Sequence, residues 1–479
     1  MFTLILMLIV FILGYLAIAL EGPIKVDKAA SALFLGVVIW VVYIYGLPSV
    51  LNLGFSPSWN NFLKSSELAD FKNKYPNIGL LGQMKYFVTS HEVVAHLGDL
   101  SQILFFLLGA MTIVETVDQH EGFRVITDRI KTTKKVKLLW ILGTITFFLS
   151  GVLDNMTTTI VMIALLRKLI DDKKTRWFFA SVIVIAANAG GAFTPIGDVT
   201  TIMLWIGGQV TAIDIMGMVF LPSIISLIIP LAAISLYIKG EVEKPHVSDN
   251  GSRTKPNERM LMLAMGIGGL IFVPVFKELT DLPPYMGMLL SLSVLWITTE
   301  ILHKKASEED RRRFTVVGVL KKVDIPTILF YLGILSAVAA LESAGHLQIM
   351  ASYLDKNMHN IYGIDGIIGL LSSIVDNVPL TAAAMGMYPI MTHAMVAASA
   401  EPAFMHHFIQ NGAFWELLAF TAGTGGSILI IGSAAGVVAM ALEKIDFIWY
   451  MKKIAWLALL GYFAGIFTYW LQNEFIFHH

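Results

Sequence analysis

The sequence predicts an all-α polytopic membrane protein built from two inverted-topology repeats. Three observations predict it: an apolar composition, Lys- and Arg-rich loops set between long apolar runs, and three polar motifs that recur in the same order in two halves. Of 479 residues, 56% are hydrophobic and 14% charged, against about 45–50% and about 25% in soluble globular chains. Disorder is excluded by the same figures, since it needs low hydrophobicity and high net charge. The 34 basic and 35 acidic residues leave a net charge of −1, with no basic excess to hold nucleic acid. Cysteine is absent, which removes disulfides, thiol nucleophiles and cysteine-ligated metals.

The apolar run at 2–20 has no basic leader and no small-residue cleavage site, and it is long enough to span, so it reads as an uncleaved first helix. Further runs lie at about 30–48, 99–117, 177–208, 214–238, 260–277, 284–302, 325–342, 412–442 and 454–472. Two more, at about 137–170 and 362–392, carry polar residues at their middles. The hydrophilic stretch 51–97 is expected to lie on the external surface.

Loop charge orients these runs, because short cytoplasmic loops collect Lys and Arg. The connection 119–137 holds Arg124, Arg129, Lys131, Lys134, Lys135 and Lys137, and 167–176 holds Arg167, Lys168, Lys173, Lys174 and Arg176. Loops 239–259 and 303–322 are basic too, whereas 343–365 has only Lys356 and 391–413 has no Lys or Arg. The segment 137–170 therefore enters from and returns to the cytoplasmic side, and 362–392 does the same from outside. On this reading both termini are external.

The halves echo each other. Leu108-Gly109 followed by Asp118 matches Leu332-Gly333 followed by Glu342. Ser150 to Asn155 matches Ser372 to Asn377, each ending in Asp-Asn. Gly190-Gly191 with Gly197-Asp198 matches Gly425-Gly426 with Gly432-Ser433. Each repeat is expected to contain five spans, a re-entrant hairpin and a discontinuous helix, giving about 10 full spans plus 2 hairpins. The first repeat is 1–238, with hairpin 137–170 and broken helix 177–208. The segment 239–259, with Pro245, Asn250, Gly251, Ser252 and Pro256, is the cytoplasmic linker. The second repeat is 260–479, with hairpin 362–392 and broken helix 412–442. An odd number of spans per repeat forces the halves to be inverted, as the loop charges require independently. Inverted repeats with interrupted helices characterise secondary transporters, whose site lies where the breaks meet.

Backbone breaks at membrane depth survive only where protein or a wet cavity supplies partners. Pro379, with Asn and Thr side chains, favours a non-helical tip, an exposed capping turn being the competing reading. Gly190, Gly191 and Gly197 with Pro195 unwind the first broken helix, while tight helix packing is an alternative for Gly432-Ser433. The candidate ligands are Asp154, Asp198 and Asp376, with Asn, Thr and Ser oxygens, and no Lys or Arg stands at any break. A carboxylate in low dielectric without a basic partner costs at least about 2.5–3.5 kcal/mol. A bound cation or a proton must meet that charge, and hard oxygen ligands suit a hard metal ion. A site that holds one or the other exchanges them, so cation/proton antiport is the leading expectation, with Na+ or Li+ at Asp154, Asp198 and Asp376. Asp376 and Asp154 are the first choices for the exchange itself, and Asp198, Asn155 and Asn377 complete the coordination.

Glu115, Asp118 and Glu342, at helix ends, are candidate accessory acids. His120 and His346 are candidate pH-sensing groups, since imidazole titrates near pH 6.5; His393, His406 and His407 are interfacial. The pair His91 and His96 stands five apart rather than the four of a zinc-protease helix, so zinc chemistry is not expected there. No nucleophile–base pair marks an enzyme.

These residues resemble the NhaD-type sodium/proton antiporters of the wider ion-transporter superfamily. The resemblance covers nearly the whole chain: 14–21, 28–33, 109–129, both Asp-Asn tips, 187–208 and 411–436. It implies exchange of cytoplasmic Na+ or Li+ for external H+ across a bacterial-type inner membrane, by alternating access, with pH regulation, no cofactor and a homodimer held by a scaffold domain. Carried over by position, the cation- and proton-binding residues are Asp154, Asn155, Thr157, Asn188, Asp198, Thr200, Ser372, Asp376, Asn377, Thr424, Ser427 and Ser433. Anion-transporting cousins carry neutral Ser-Asn-Thr tips, and both tips here begin with Asp, a departure that favours a cation. Sodium-coupled anion uptake or metalloid export is the alternative within the superfamily, and a passive cation channel is the second alternative.

Overall fold

The computed structural model describes residues 1–130, 132–243 and 254–477. Lys131, the middle of the expected linker (244–253, with Pro245, Asn250, Gly251 and Ser252), His478 and His479 lie outside the described residues. Among the described residues the regular structure is helical, with two isolated β-bridges.

Among the described residues, seven helices are long and apolar enough to cross a membrane: Lys28–Tyr45, Leu80–Gln119, Lys135–Leu153, Ala212–Tyr237, Pro256–Thr280, Pro284–Leu302 and Ile325–Ser343. The pair Phe447–Lys453 and Ala455–Phe475, bent by 51°, makes an eighth when taken together as one broken span. The sequence sets their ends. Asp27 caps Lys28–Tyr45 by accepting from Ala29 N at 2.7 Å, and Asp324 caps Ile325–Ser343 through Thr327 N. Pro284 opens its helix, where no backbone donor is needed. Large apolar side chains such as Phe34, Leu236 and Ile301 are exposed on these helices, as they are where hydrocarbon is the solvent.

Two compact units interleave along the chain. The first comprises Met1–Leu104, Asp324–His359 and Ala382–Pro389. Within it Lys28–Tyr45 and Ile325–Ser343 touch backbone to backbone at two glycines: a Cβ on Gly36 would stand 2.6 Å from Gly333 O, and one on Gly333 would stand 2.4 Å from the Ala32 carbonyl carbon. Trp40 Nε1 donates to Ser336 O at 3.0 Å across the same seam. The hydrophilic stretch after it folds into short helices, Pro57–Phe62, Ser66–Lys74 and Leu80–Tyr86, the first two capped by Ser56 and Ser65, and buries Trp59 and Phe62.

The second unit comprises Phe105–Val323, Asn360–Thr381 and Ile390–His479. It carries both Asp-Asn tips and both Gly-broken helices, while Ala382–Pro389, from the second arm of 362–392, belongs to the first unit. Asp172 caps the first arm of the first broken helix, Lys173–Ala192, through Thr175 N at 2.7 Å.

Candidate functional site

The first tip is a single residue. Lys135–Leu153 stops, Asp154 takes φ +89°, and Asn155–Leu169 begins. A positive φ is a strained setting for a residue with a Cβ. The Asp154 carboxylate accepts from Thr157 N and Thr157 Oγ1, both at 2.7 Å. At the second tip Ile361–Leu371 gives way to a helix starting at Asn377, and Asp376 Oδ1 accepts from Val378 N at 3.1 Å. In both tips the half-buried Asp caps its own helix, and the neighbouring Asn turns inward and is buried.

The broken helices have matching construction. Lys173–Ala192 ends, and Val199–Ile206 restarts with Asp198 as its cap, accepting from Thr200 N at 3.1 Å. Thr201 closes a capping box on Asp198 N. Ala413–Gly425 ends, and Ala434–Glu443 restarts from Ser433, which accepts from Gly436 N at 3.2 Å. The positive end of each restarted half-helix thus faces its cap oxygen.

The contacts that seat these breaks occur twice, at positions the sequence pairs. Ser150 Oγ donates to Ala187 O at 2.6 Å, and Ser372 Oγ donates to Ala422 O at 2.8 Å. A Cβ on Gly190 would lie 2.0 Å from Phe147 O, and one on Gly425 would lie 2.0 Å from Gly369 O. Only glycine lets the backbones approach this closely.

The four motifs converge on Asp198, which is 1% exposed. Asn155 Nδ2 donates to Asp198 Oδ2 at 2.6 Å and to Asn188 Oδ1 at 3.1 Å. From the other tip, Asn377 Nδ2 donates to Asp198 Oδ1 and Oδ2 at 3.3 and 3.2 Å. Asn188 Nδ2 in turn donates to Ser427 Oγ and Ser433 Oγ, each at 2.9 Å. One bonded chain therefore joins both tips to both breaks. Neither Asp198 nor Asp154 is bonded to a Lys or Arg side chain among the described residues.

Of the other expected residues, Thr200 is buried beside Asp198 and contributes its backbone N–H. Thr157, Ser372 and Thr424 donate their hydroxyls to Asp154, Ala422 O and Phe420 O. Glu115 is half-buried and Asp118 exposed near the end of Val93–Gln119, and neither joins the bonded chain. Glu342 and His346 belong to the first unit. His346 Nε2 faces Leu4 O at 3.0 Å, and burial holds this imidazole below its ordinary pKa. Burial pushes His120 down to about 4. His91 faces Glu67 at 2.9 Å, while His96 faces Glu92 at 3.7 Å.

Sequence reasoning missed a clamp at the other end of these helices. Glu443, 3% exposed, accepts from Arg167 Nε at 2.7 Å and Arg176 Nε at 2.9 Å, and Trp177 Nε1 donates to its carbonyl at 3.0 Å. It ties the end of the second broken helix to the turn between Asn155–Leu169 and Lys173–Ala192. The loop-charge pattern counts both arginines among the cytoplasmic basic residues and assigns them no partner. The signal was a lone acid closing an apolar run.

A buried carboxylate that accepts from two carboxamides and a backbone N–H, and is linked through Asn155 and Asn188 to Ser427 and Ser433, is chemically suited to bind a hard monovalent cation or a proton. The chain matches the family model described as citrate transporter, CitMHS, over residues 1–406. It is 44% identical over 465 residues to "Sodium/proton antiporter 1" of Arabidopsis thaliana, covering 97% of this chain and 71% of that one. Its identity to "Sodium/proton antiporter 2" of the same plant is 40% over 479 residues, covering 98% and 100%. To "Na(+)/H(+) antiporter NhaD" of Vibrio cholerae it is 29% identical over 501 residues, covering 98% and 91%. The chain belongs to the CitMHS transporter family, together with these plant and bacterial antiporters.

Proposed function

We propose that the protein is a secondary sodium/proton antiporter that exports Na+ or Li+ in exchange for external protons. Its carrying observation is Asp198, buried, held by carboxamides from both tips and bonded to no Lys or Arg among the described residues. Such a charge is costly in low dielectric until a cation or proton meets it. The two states exclude each other at one carboxylate, and that exclusion couples the two fluxes. The relatives' names agree with this chemistry.

Asp198, Asn155, Asn377, Asn188, Ser427 and Ser433 form the exchange centre. Asp154 and Asp376, which cap their own helices, hold the tips at the mouth of that centre. The twice-repeated seating contacts and the opposed loop charges support two inverted repeats, 1–238 and 260–479, and alternating access by movement of the tip-bearing unit. The homodimer, an inner membrane and external termini remain part of this reading through the resemblance and the charge pattern.

Proteoliposomes with an acid interior and a trapped pH dye test it. Added Na+ or Li+ should collapse the gradient at a rate that Asp198→Asn abolishes. Citrate-dependent flux that needs sodium, with no proton movement, would instead support anion uptake, the activity in the family model's description.

A further inference from the structure

Three residues that the exchange centre does not use meet at the ends of neighbouring helices in the second unit. His120 directly follows Val93–Gln119, Glu258 lies in the first turn of Pro256–Thr280, and His303 directly follows Pro284–Leu302. His120 Nε2 and His303 Nε2 stand 3.1 Å apart. Glu258 Oε1 lies 3.5 Å from His303 Nε2 and 3.9 Å from His120 Nε2. His120 is fully buried and His303 is 8% exposed. Phe314 lies against both rings, at centroid distances of 5.1 Å.

We propose that His120, Glu258 and His303 form a binding site for a divalent transition-metal ion of the zinc class, with a fourth position open. The geometry supports this directly. With bonds of about 2.0–2.1 Å and tetrahedral angles, neighbouring ligand atoms stand about 3.3 Å apart, and the three separations here are 3.1, 3.5 and 3.9 Å. The proton count supports it too. His120 Nδ1 faces Thr116 O at 2.7 Å; a carbonyl can only accept, so Nδ1 carries the proton and the neutral ring's Nε2 offers a lone pair. Orientation of a ligating histidine by a backbone carbonyl is the usual support in metal sites. A single proton on His303 Nε2 can satisfy either His120 Nε2 or Glu258 Oε1 but not both, and Glu258 Oε1 is buried with no hydrogen-bond partner. One cation satisfies all three atoms at once.

The neighbouring charges leave Glu258 available. Arg259 Nη2 pairs with Glu121 at 3.0 Å, and Arg124 Nη1 pairs with the same carboxylate at 3.4 Å. Imidazole and carboxylate without thiolate suit zinc or cobalt more than copper(I). The bound ion would fasten three helix ends together beside the loops richest in Lys and Arg.

The test uses the full chain, free of any affinity tag, purified in detergent and stripped with chelator. Zn2+ alone is titrated calorimetrically, Co2+ is added to a second sample for its visible spectrum, and thermal unfolding is followed with and without Zn2+. The expected results are one Zn2+ per chain, the intense visible bands of tetrahedral cobalt, and a raised Tm. His303→Gln should weaken binding by about a hundredfold or more, and Glu258→Gln by about tenfold or more, each with the metal-free Tm within a few degrees of wild type. If His303→Gln fails to fold, Glu258→Gln decides alone. Absence of saturable Zn2+ binding in folded wild type, or equal binding by wild type and Glu258→Gln, overturns the proposal and leaves a hydrogen-bonded histidine pair.

Discussion

Asn377 donates its carboxamide to both oxygens of Asp198, 179 positions earlier in the chain, at 3.3 and 3.2 Å. From the other tip, Asn155 donates to Asp198 Oδ2 alone, at 2.6 Å. Two interrupted helices from opposite halves of the sequence are thereby referred to one carboxylate.

Asp198→Asn is expected to abolish cation-driven proton movement, by more than about a hundredfold, while leaving the fold intact. Removing an uncompensated buried charge relieves a desolvation cost of several kcal/mol. In sodium-free buffer the variant should therefore melt no lower than wild type. A lower Tm, read by thermal unfolding in detergent, would mean that Asp198 is structural.

The two tip acids should behave differently from Asp198. Asp154→Asn keeps an oxygen that can accept from Thr157, and Asp376→Asn keeps one for Val378 N. Each is expected to raise the sodium concentration for half-maximal transport by about tenfold, about 1.4 kcal/mol, with turnover at saturation reduced less. Measuring rate against sodium concentration separates these effects. Complete loss in either variant would move proton carriage from Asp198 to that tip.

Gly190→Ala and Gly425→Ala should each be severely destabilising. The added methyl would meet the backbone oxygen of Phe147 or of Gly369 at 2.0 Å, and overpacking of this kind costs about 1–3 kcal/mol or more. Gly268→Ala is the control, since nothing lies within 4 Å of its Cβ position. Yields of folded protein after detergent extraction compare the three.

Glu443→Ala leaves Arg167 and Arg176 without their shared carboxylate. Removing one partner of a buried pair costs about 3–5 kcal/mol, and the exposure of Arg167 reduces that to about 2–3 kcal/mol. Glu443→Gln should recover part of the loss through its remaining acceptor. Denaturant midpoints of the two variants, read against wild type, check the order.

Acid should destabilise the first unit through His346. Burial lowers this imidazole's pKa in the folded state. The unfolded chain takes up a proton near pH 6.5 and the folded chain does so only at lower pH. The contribution is full above about pH 6.5 and is lost as pH falls below it. His346→Gln should flatten the stability–pH curve between about pH 7 and 5, followed by thermal unfolding. An unchanged slope contradicts the assignment.

The tips and breaks were legible because their chemistry is local: Asp-Asn inside an apolar run, or Gly and Pro inside a span, has few other uses at membrane depth. Ser150 and Ser372 were legible from the repeat alone. Which carboxylate becomes the centre was not. In sequence Asp376 and Asp154 come first, as acids at the paired tips; the proposed assignment to Asp198 rests on where the helix restarts turn each side chain. Asp154 bonds to Thr157, three residues on, while Asp198 bonds across 43 and 179 positions. The Glu443 clamp and the His120–Glu258–His303 cluster were hidden for the same reason, because packing of distant helix ends makes them. The short helices between 57 and 86 carry too little periodicity to be placed from the sequence alone.

The central claim is that sodium and a proton compete for Asp198. Its most direct test is sodium titration of the detergent-solubilised protein by calorimetry, in buffers of different ionisation enthalpy, so that protons released on binding are counted. The account predicts saturable sodium binding with about one proton released per ion at a pH where the free site is protonated, and neither signal in Asp198→Asn. Sodium binding with no proton release, or proton release that survives Asp198→Asn, would contradict it.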